Sequence, residues 1–377
     1  MTVLRGNIFL DSVDALRPGQ VEWNSVGQIV SIEETPQQEY YHNILPGFID
    51  EHVHGIAGDD VMDRDPERFQ RIGARLAAHG VTSYLATTLT AAFPHIRRVV
   101  EEAATSAPPA KSGARLLGMH LEGPFIDRLA KGAQPLEEVA EANLEAVQTL
   151  IGDNHDGWIR LITWAPNLPH SQPAIVWLTT HGVRVNLGHS LATYEEGRAG
   201  VASGATGLTH FFNAMSPLRH REPGLVGLGL LDKRLWCELI ADGIHVRPEV
   251  IRYVMETMGE RVVLITDAMA AADMGPGTFA LGGYPVTVSD GAARLADGTL
   301  AGSVLTMDHA LRNLMQWGVP LGSIVRGLST NPATRLGLSN CGRLVVGARA
   351  DIVVMDAAFQ VMKTYRNGEP VYSALAP

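Results

Sequence analysis

The stretch FIDEHVHG, residues 48–55, sets two imidazoles, His52 and His54, one residue apart at the end of an apolar run. Side chains two apart on a strand share a face, so both rings can point one way while Val53 points the other. Four more residues able to bind a metal close similar runs: Glu122 in RLLGMHLEG, His189 in RVNLGHS, His210 in GLTHFFN and Asp267 in RVVLITDA. Imidazole mixed with carboxylate suits Zn, Fe, Mn or Co, whereas calcium sites are rich in oxygen. An HxH pair alone is weak evidence, because a histidine sits as readily in a polar pocket, hydrogen-bonded. The joint placement of all six at run ends carries the argument.

Those runs are the elements that must position the six. Eight near-continuous apolar segments, at 44–52, 82–88, 115–123, 160–166, 184–190, 207–213, 236–243 and 261–268, read as strands buried on both faces. Helical patterns lie between several of them. In PERFQRIGARLAAHG, Phe69, Ile72 and Leu76 fall at helical spacing, with Pro66 near the start and Gly80 at the stop; PEVIRYVMETMG repeats the punctuation. Strands alternating with helices predict an α/β chain, a parallel (β/α)8 TIM-like barrel, whose chemistry sits where strands end. The candidate ligands then fall on strands 1, 3, 5, 6 and 8.

The two ends differ, with strand-like pieces joined by Gly and Asn turns and no helices between them. They predict a small β-sandwich domain built from residues 1–45 and 339–377, around a catalytic barrel at 46–338. Residues 282–302 read as a β-hairpin inserted after the eighth strand. The glycines of GPGTFALGG read as turn chemistry, since a phosphate loop would need its lysine and a strand-loop-helix setting.

A net charge of −10 with no basic runs argues against nucleic acid as a partner. Two cysteines without CxxC spacing give neither a disulfide framework nor a zinc knuckle. No run of about 18 apolar residues is present and the start lacks a signal-peptide core, so no membrane and a cytoplasmic address are expected. Of the other histidines, His79, His95 and His181 read as solvated and His155 carries no role. His120, one layer below Glu122, reads either as a partner to the site or as a structural hydrogen-bonder.

The segments HLEGPF, KGAQP, FNAMSPL, REPG, ADGIHV and LITDAM, together with PGFIDEHVHG, resemble the amidohydrolase superfamily and, within it, the N-acetylglucosamine-6-phosphate deacetylases. The resemblance covers nearly the whole chain. It implies one or two divalent metal ions per subunit, held by Glu122, His189 and His210, with His52 and His54 available for a second. It further implies Asp267 as the proton-transferring residue and an amino-sugar phosphate as substrate, in amino-sugar catabolism or recycling. Asn213, Ala214 and His245 are implied to face the 6-phosphate, together with Arg221 reaching across a homodimer. Ala133 and Gln134 are implied to face the sugar.

Two residues depart from the family pattern. Gln134 stands where histidine is usual, and Asn167 ends the fourth strand as APN rather than APE. Both put sugar preference in question, so deacetylation of N-acetylgalactosamine 6-phosphate is the alternative. A cyclic amidase, an N-acyl-amino-acid hydrolase or a non-catalytic scaffold fits the motifs less well.

Overall fold

The computed structural model describes every residue except 107–111, 153, 155, 156 and 375–377, so His155 lies outside the described residues. Eight parallel strands follow one another in a single sheet: Phe48–Val53, Val81–Thr88, Arg115–Glu122, Ile159–Trp164, Arg184–Leu187, Gly207–Leu208, Trp236–Ile240 and Val262–Ile265. The first and eighth meet through a parallel bridge between Val53 and Ala268, with the Asp267 amide donating to His52 O at 2.9 Å and the His54 amide to Ala268 O at 2.8 Å. The barrel is therefore closed at the level of the candidate ligands. The sixth strand is short because the chain turns away at Thr209, directly before His210.

Helices cover the barrel as their apolar faces dictate. Arg68–Ala78 buries Phe69, Ile72 and Leu76, and Val53 of the first strand joins the same apolar cluster. Its start falls two residues beyond Pro66. Pro248–Met258 buries Ile251, Val254 and Met255, with its proline in the first turn as expected. Ala333 and Leu336 of the short helix Asn331–Leu336 pack against Ile49, Leu85 and Leu161 of the barrel strands. Among the described residues no helix is long and apolar enough to cross a membrane.

Both termini share one seven-stranded sheet, in the order Glu369–Ser373, Val361–Arg366, Ile352–Asp356, His42–Pro46, Thr2–Leu10, Ala15–Trp23 and Ile29–Glu34. Its apolar face is formed by Ile8, Val21, Trp23, Ile44 and Ile352, among others. The apolar run 44–52, read as one strand, is thus two. Its first part pairs with Ile352–Asp356 and its second with Val81–Thr88. Gly47 separates them, and a Cβ there would lie 2.3 Å from Thr82 Cγ2.

The insertion after the eighth strand is larger than a hairpin. Gly277–Leu281, Tyr284–Ser289 and Ala292–Arg294 form a three-stranded antiparallel sheet. Its first strand lies inside the glycine-rich segment read as turns. The glycines at 282 and 283 make the turn itself, with φ of 57° and 83°, while the residues before them pair. Leu281, Val286, Val288 and Ala293 pack with Leu89 and Met269, which seats the insertion against the barrel.

Candidate active site

All six candidate residues converge. Glu122 Oε1 lies 3.0 Å from His210 Nε2 and 3.2 Å from His189 Nε2, and the two nitrogens are 3.0 Å apart. On the other side, His52 Nε2 and His54 Nε2 are 3.3 Å apart, with Asp267 Oδ1 at 3.4 and 3.2 Å from them. Glu122 Oε2 stands 3.3 Å from His54 Nε2, so its carboxylate spans both triads. Every one of the six is buried.

These spacings fit a cation. Tetrahedral ligands bonded at about 2.0–2.2 Å sit roughly 3.3–3.5 Å from one another, close to the edges found in both triads. The tautomers fit as well. His189 Nδ1 donates to Ala130 O at 2.8 Å, His54 Nδ1 to Thr87 O at 3.2 Å, and His52 Nδ1 to Glu238 Oε2 at 3.1 Å. A carbonyl or carboxylate can only accept, so the neutral form of each ring turns a bare Nε2 lone pair toward the shared point. His210 Nδ1 has no such partner among the described residues.

The local charge agrees. Burial opposes a charge on His54, yet Asp267 and Glu122 override it and push its pKa up to about 10. Burial likewise opposes charge on His210, but Glu122 carries it up to about 9. Burial raises both carboxyls, but His52 and His189 hold Glu122 well below the usual carboxylate range, and His52 and His54 hold Asp267 below its ordinary value. The pocket is one in which buried negative charge calls for a positive partner.

The backbone is bent to aim these groups. His189, His210 and Asp267 have φ of 45°, 31° and 52°, a region that costs a non-glycine residue on the order of 1–3 kcal/mol. Each lies just past its strand, where the turn throws the side chain over the barrel mouth.

A hydrogen-bonded layer that the sequence did not disclose holds His52 of the second triad. Glu238, from the seventh strand, accepts from His52 with one oxygen and from Asn186 Nδ2 at 2.6 Å with the other, where Arg335 Nη1 also lies at 3.3 Å. Burial raises Glu238, but the His52 hydrogen bond and the Arg335 charge outweigh it and bring the pKa to about 2. Arg335 also pairs with Glu51 and with Asn186. Asp50 accepts from the Thr266 hydroxyl at 2.6 Å. The signal available was a charged residue in the middle of an apolar strand, as in WCELI. His120 bonds Thr163 Oγ1 at 2.8 Å and stands edge-on to His52 with ring centroids 4.6 Å apart; burial drives its pKa down to about 3. It is a neutral wall for His52.

Above the triads opens a cavity of about 550 Å3, lined by His54, Glu122, His189, His210 and Asp267 and also by Ala133, Gln134, Asn213, Ala214 and His245. Gln134 donates to Glu122 Oε2 and accepts from the Thr90 amide at 2.8 Å. His245 Nδ1 is 2.6 Å from Asp242 Oδ2, which leaves Nε2 for a ligand. Arg221 is not brought in; it stands exposed on the loop 217–222, outside the cavity lining. Asn167 is also outside the lining, donating to Asp127 Oδ2 at 2.8 Å and accepting from Ser190 Oγ at 2.5 Å. Arg294, which the sequence reading passed over, does line the cavity.

Comparison with known proteins gives the same picture on a wider base. The model of the amidohydrolase family matches residues 43–373. The chain is 40% identical over 348 residues to an N-acetylgalactosamine-6-phosphate deacetylase of Escherichia coli O157:H7, covering 91% of this chain and 92% of that one. It is 38% identical to an N-acetylglucosamine-6-phosphate deacetylase of Vibrio furnissii, covering 88% and 84% of the two chains. Among solved structures, a mutant N-acetyl-D-glucosamine-6-phosphate deacetylase of Mycobacterium smegmatis in complex with N-acetyl-D-glucosamine-6-phosphate superimposes with a TM-score of 0.90. That pair is 34% identical and covers 99% of both chains.

Proposed function

The chain belongs to the amidohydrolase family, and from that premise we propose that it hydrolyses N-acetyl-D-glucosamine 6-phosphate to D-glucosamine 6-phosphate and acetate. The observation that carries this reading is the convergence of Glu122, His189 and His210 beside Asp267, at the base of a cavity sized for a sugar. The deacetylase relatives, alike over nearly the whole chain, supply the substrate class. The galacto epimer is the second reading, favoured by the 40% identical relative named for it.

Glu122, His189 and His210 would hold one divalent ion, Zn, Fe, Mn or Co by their donor set, with His52, His54 and Asp267 offering a second place. When bound there, such an ion would supply Lewis-acid polarisation of the amide carbonyl and would bring the pKa of the attacking water toward neutrality. Asp267, whose carboxylate stands beside His52 and His54, takes the proton of that water. It returns the proton to the nitrogen, since an amide nitrogen leaves only as a protonated amine. Asn213, the Ala214 amide and His245 orient the 6-phosphate, and Ala133 and Gln134 face the hexose. A homodimer would add Arg221 from a partner chain, its forked guanidinium matching a phosphate. A cytoplasmic address, where sugar phosphates are made, completes the reading.

Acetate release from the two epimeric sugar phosphates and from unphosphorylated N-acetylglucosamine tests it. The expected result is turnover of at least one phosphorylated epimer and a much lower kcat/KM without phosphate. No acetate from either epimer by metal-loaded protein would overturn the assignment.

A further inference from the structure

Resting on the reading above, we propose that Arg294, carried on the three-stranded insertion, binds the substrate's 6-phosphoryl group from within the same chain. The cavity wall contains the carboxylates of Glu122 and Asp267, and Arg294 is its one permanent cation among the described residues. A phosphate monoester enters that wall with nearly two negative charges. Histidines can bond it, but three of those lining the cavity are committed to the triads, which leaves His245. The other arginine considered for this duty, Arg221, stands outside the lining and needs a second chain.

Arg294 is exposed, as Arg221 is, but its position on the cavity wall is set by the fold around it. Its backbone pairs with Thr287 on one side and bridges to Leu300 on the other. Its Nη1 donates to Gly298 O at 2.9 Å, which fixes one edge of the guanidinium and leaves the others for a ligand. The preceding residue, Ala293, is buried in the core that seats the insertion on the barrel. The turn before it approaches the loop bearing His245: a methyl placed on Gly291 would lie 3.8 Å from Ile244 Cδ1. Strand, turn and His245 loop are thus neighbours. A fork of N–H donors on a rigid support is the arrangement that recognises a phosphate.

The test compares wild-type protein with Arg294→Ala and Arg294→Lys, each assayed on N-acetylglucosamine 6-phosphate and on N-acetylglucosamine, with inorganic phosphate as a competing probe. Melting temperature and metal content serve as controls on folding. Loss of one charge-assisted phosphate contact should lower the ratio of kcat/KM, phosphorylated over unphosphorylated, by about ten- to a hundredfold in Arg294→Ala. The loss should fall on KM, and weaken inhibition by inorganic phosphate to match. Arg294→Lys should recover part of the ratio, because a point charge remains without the fork. An unchanged ratio in Arg294→Ala, with wild-type protein still preferring the phosphorylated sugar, would overturn the role of Arg294 and leave the deacetylase reading standing. A wild-type protein with no preference for phosphate would overturn both.

Discussion

His52 Nδ1 lies 3.1 Å from Glu238 Oε2, and the two are 186 residues apart in the chain. This hydrogen bond decides which nitrogen of His52 faces the site. It fixes the proton on Nδ1 and turns Nε2 toward His54 and Asp267, in the way a carboxylate orients a metal-binding histidine.

Replacing Glu238 by glutamine keeps its size and an acceptor oxygen but removes the charge. Metal affinity at the His52, His54 and Asp267 place should drop about ten- to a hundredfold, while Glu122, His189 and His210 keep theirs. Chelator competition followed by metal analysis would show it. Two equally weakened sites, or none, would mean that the pair does not act through His52.

Asp267→Asn retains the shape of the side chain and removes the base. Turnover should decline by about a hundredfold or more, with the ion at Glu122, His189 and His210 still bound. A variant keeping over a tenth of the wild-type kcat would take Asp267 out of proton transfer.

His54→Ala reports on the number of ions. If both triads are filled, stoichiometry falls by about one ion per chain, because the Nε2 of His54 faces the second triad and the far oxygen of Glu122. An unchanged stoichiometry would assign a single ion to Glu122, His189 and His210.

A pH effect is expected away from the site. His79, read from sequence as solvated, bonds Asp308 at 2.9 Å and joins the helix Arg68–Ala78 to the helix Met307–Gln316. Burial opposes the charge on His79, but Asp308 raises its pKa above the ordinary 6.5 or so; burial would raise Asp308, but His79 holds it below the carboxylate range. The raised histidine contributes stability that is complete below about pH 6.5 and lost as pH climbs through its folded pKa. The lowered acid contributes above about pH 4 and loses that contribution as pH falls toward its folded value. The Tm difference between wild type and His79→Leu should therefore be largest between about pH 4 and 6.5 and shrink toward pH 9. A difference flat in pH would show that the pair is not charged in the folded protein.

Much of the candidate site was legible in the sequence because its candidate ligands close short apolar runs, a local signal that survives without the fold. Asp267 and the HxH pair are examples: each lies within two residues of its strand. The Glu238, Arg335 and Asn186 layer was not legible, since its members come from separate strands and a helix and meet only in the closed barrel. Gly47 and the insertion's first strand were missed for another reason. Periodicity records where apolar residues fall, but not which of two sheets takes them. Arg294 gave no sign because an arginine after two alanines carries no motif, and only the folded insertion sets it on the cavity wall.

On the proposed reading, the converging donors hold a metal needed to cleave an acetamide. Acetate release from N-acetylglucosamine 6-phosphate should be followed for protein as purified, after chelator treatment and dialysis, and after adding back Zn, Mn, Fe or Co. Activity should disappear with the metal and return with at least one of these ions, in proportion to the ion bound. Full activity in protein shown to contain no metal would contradict that reading.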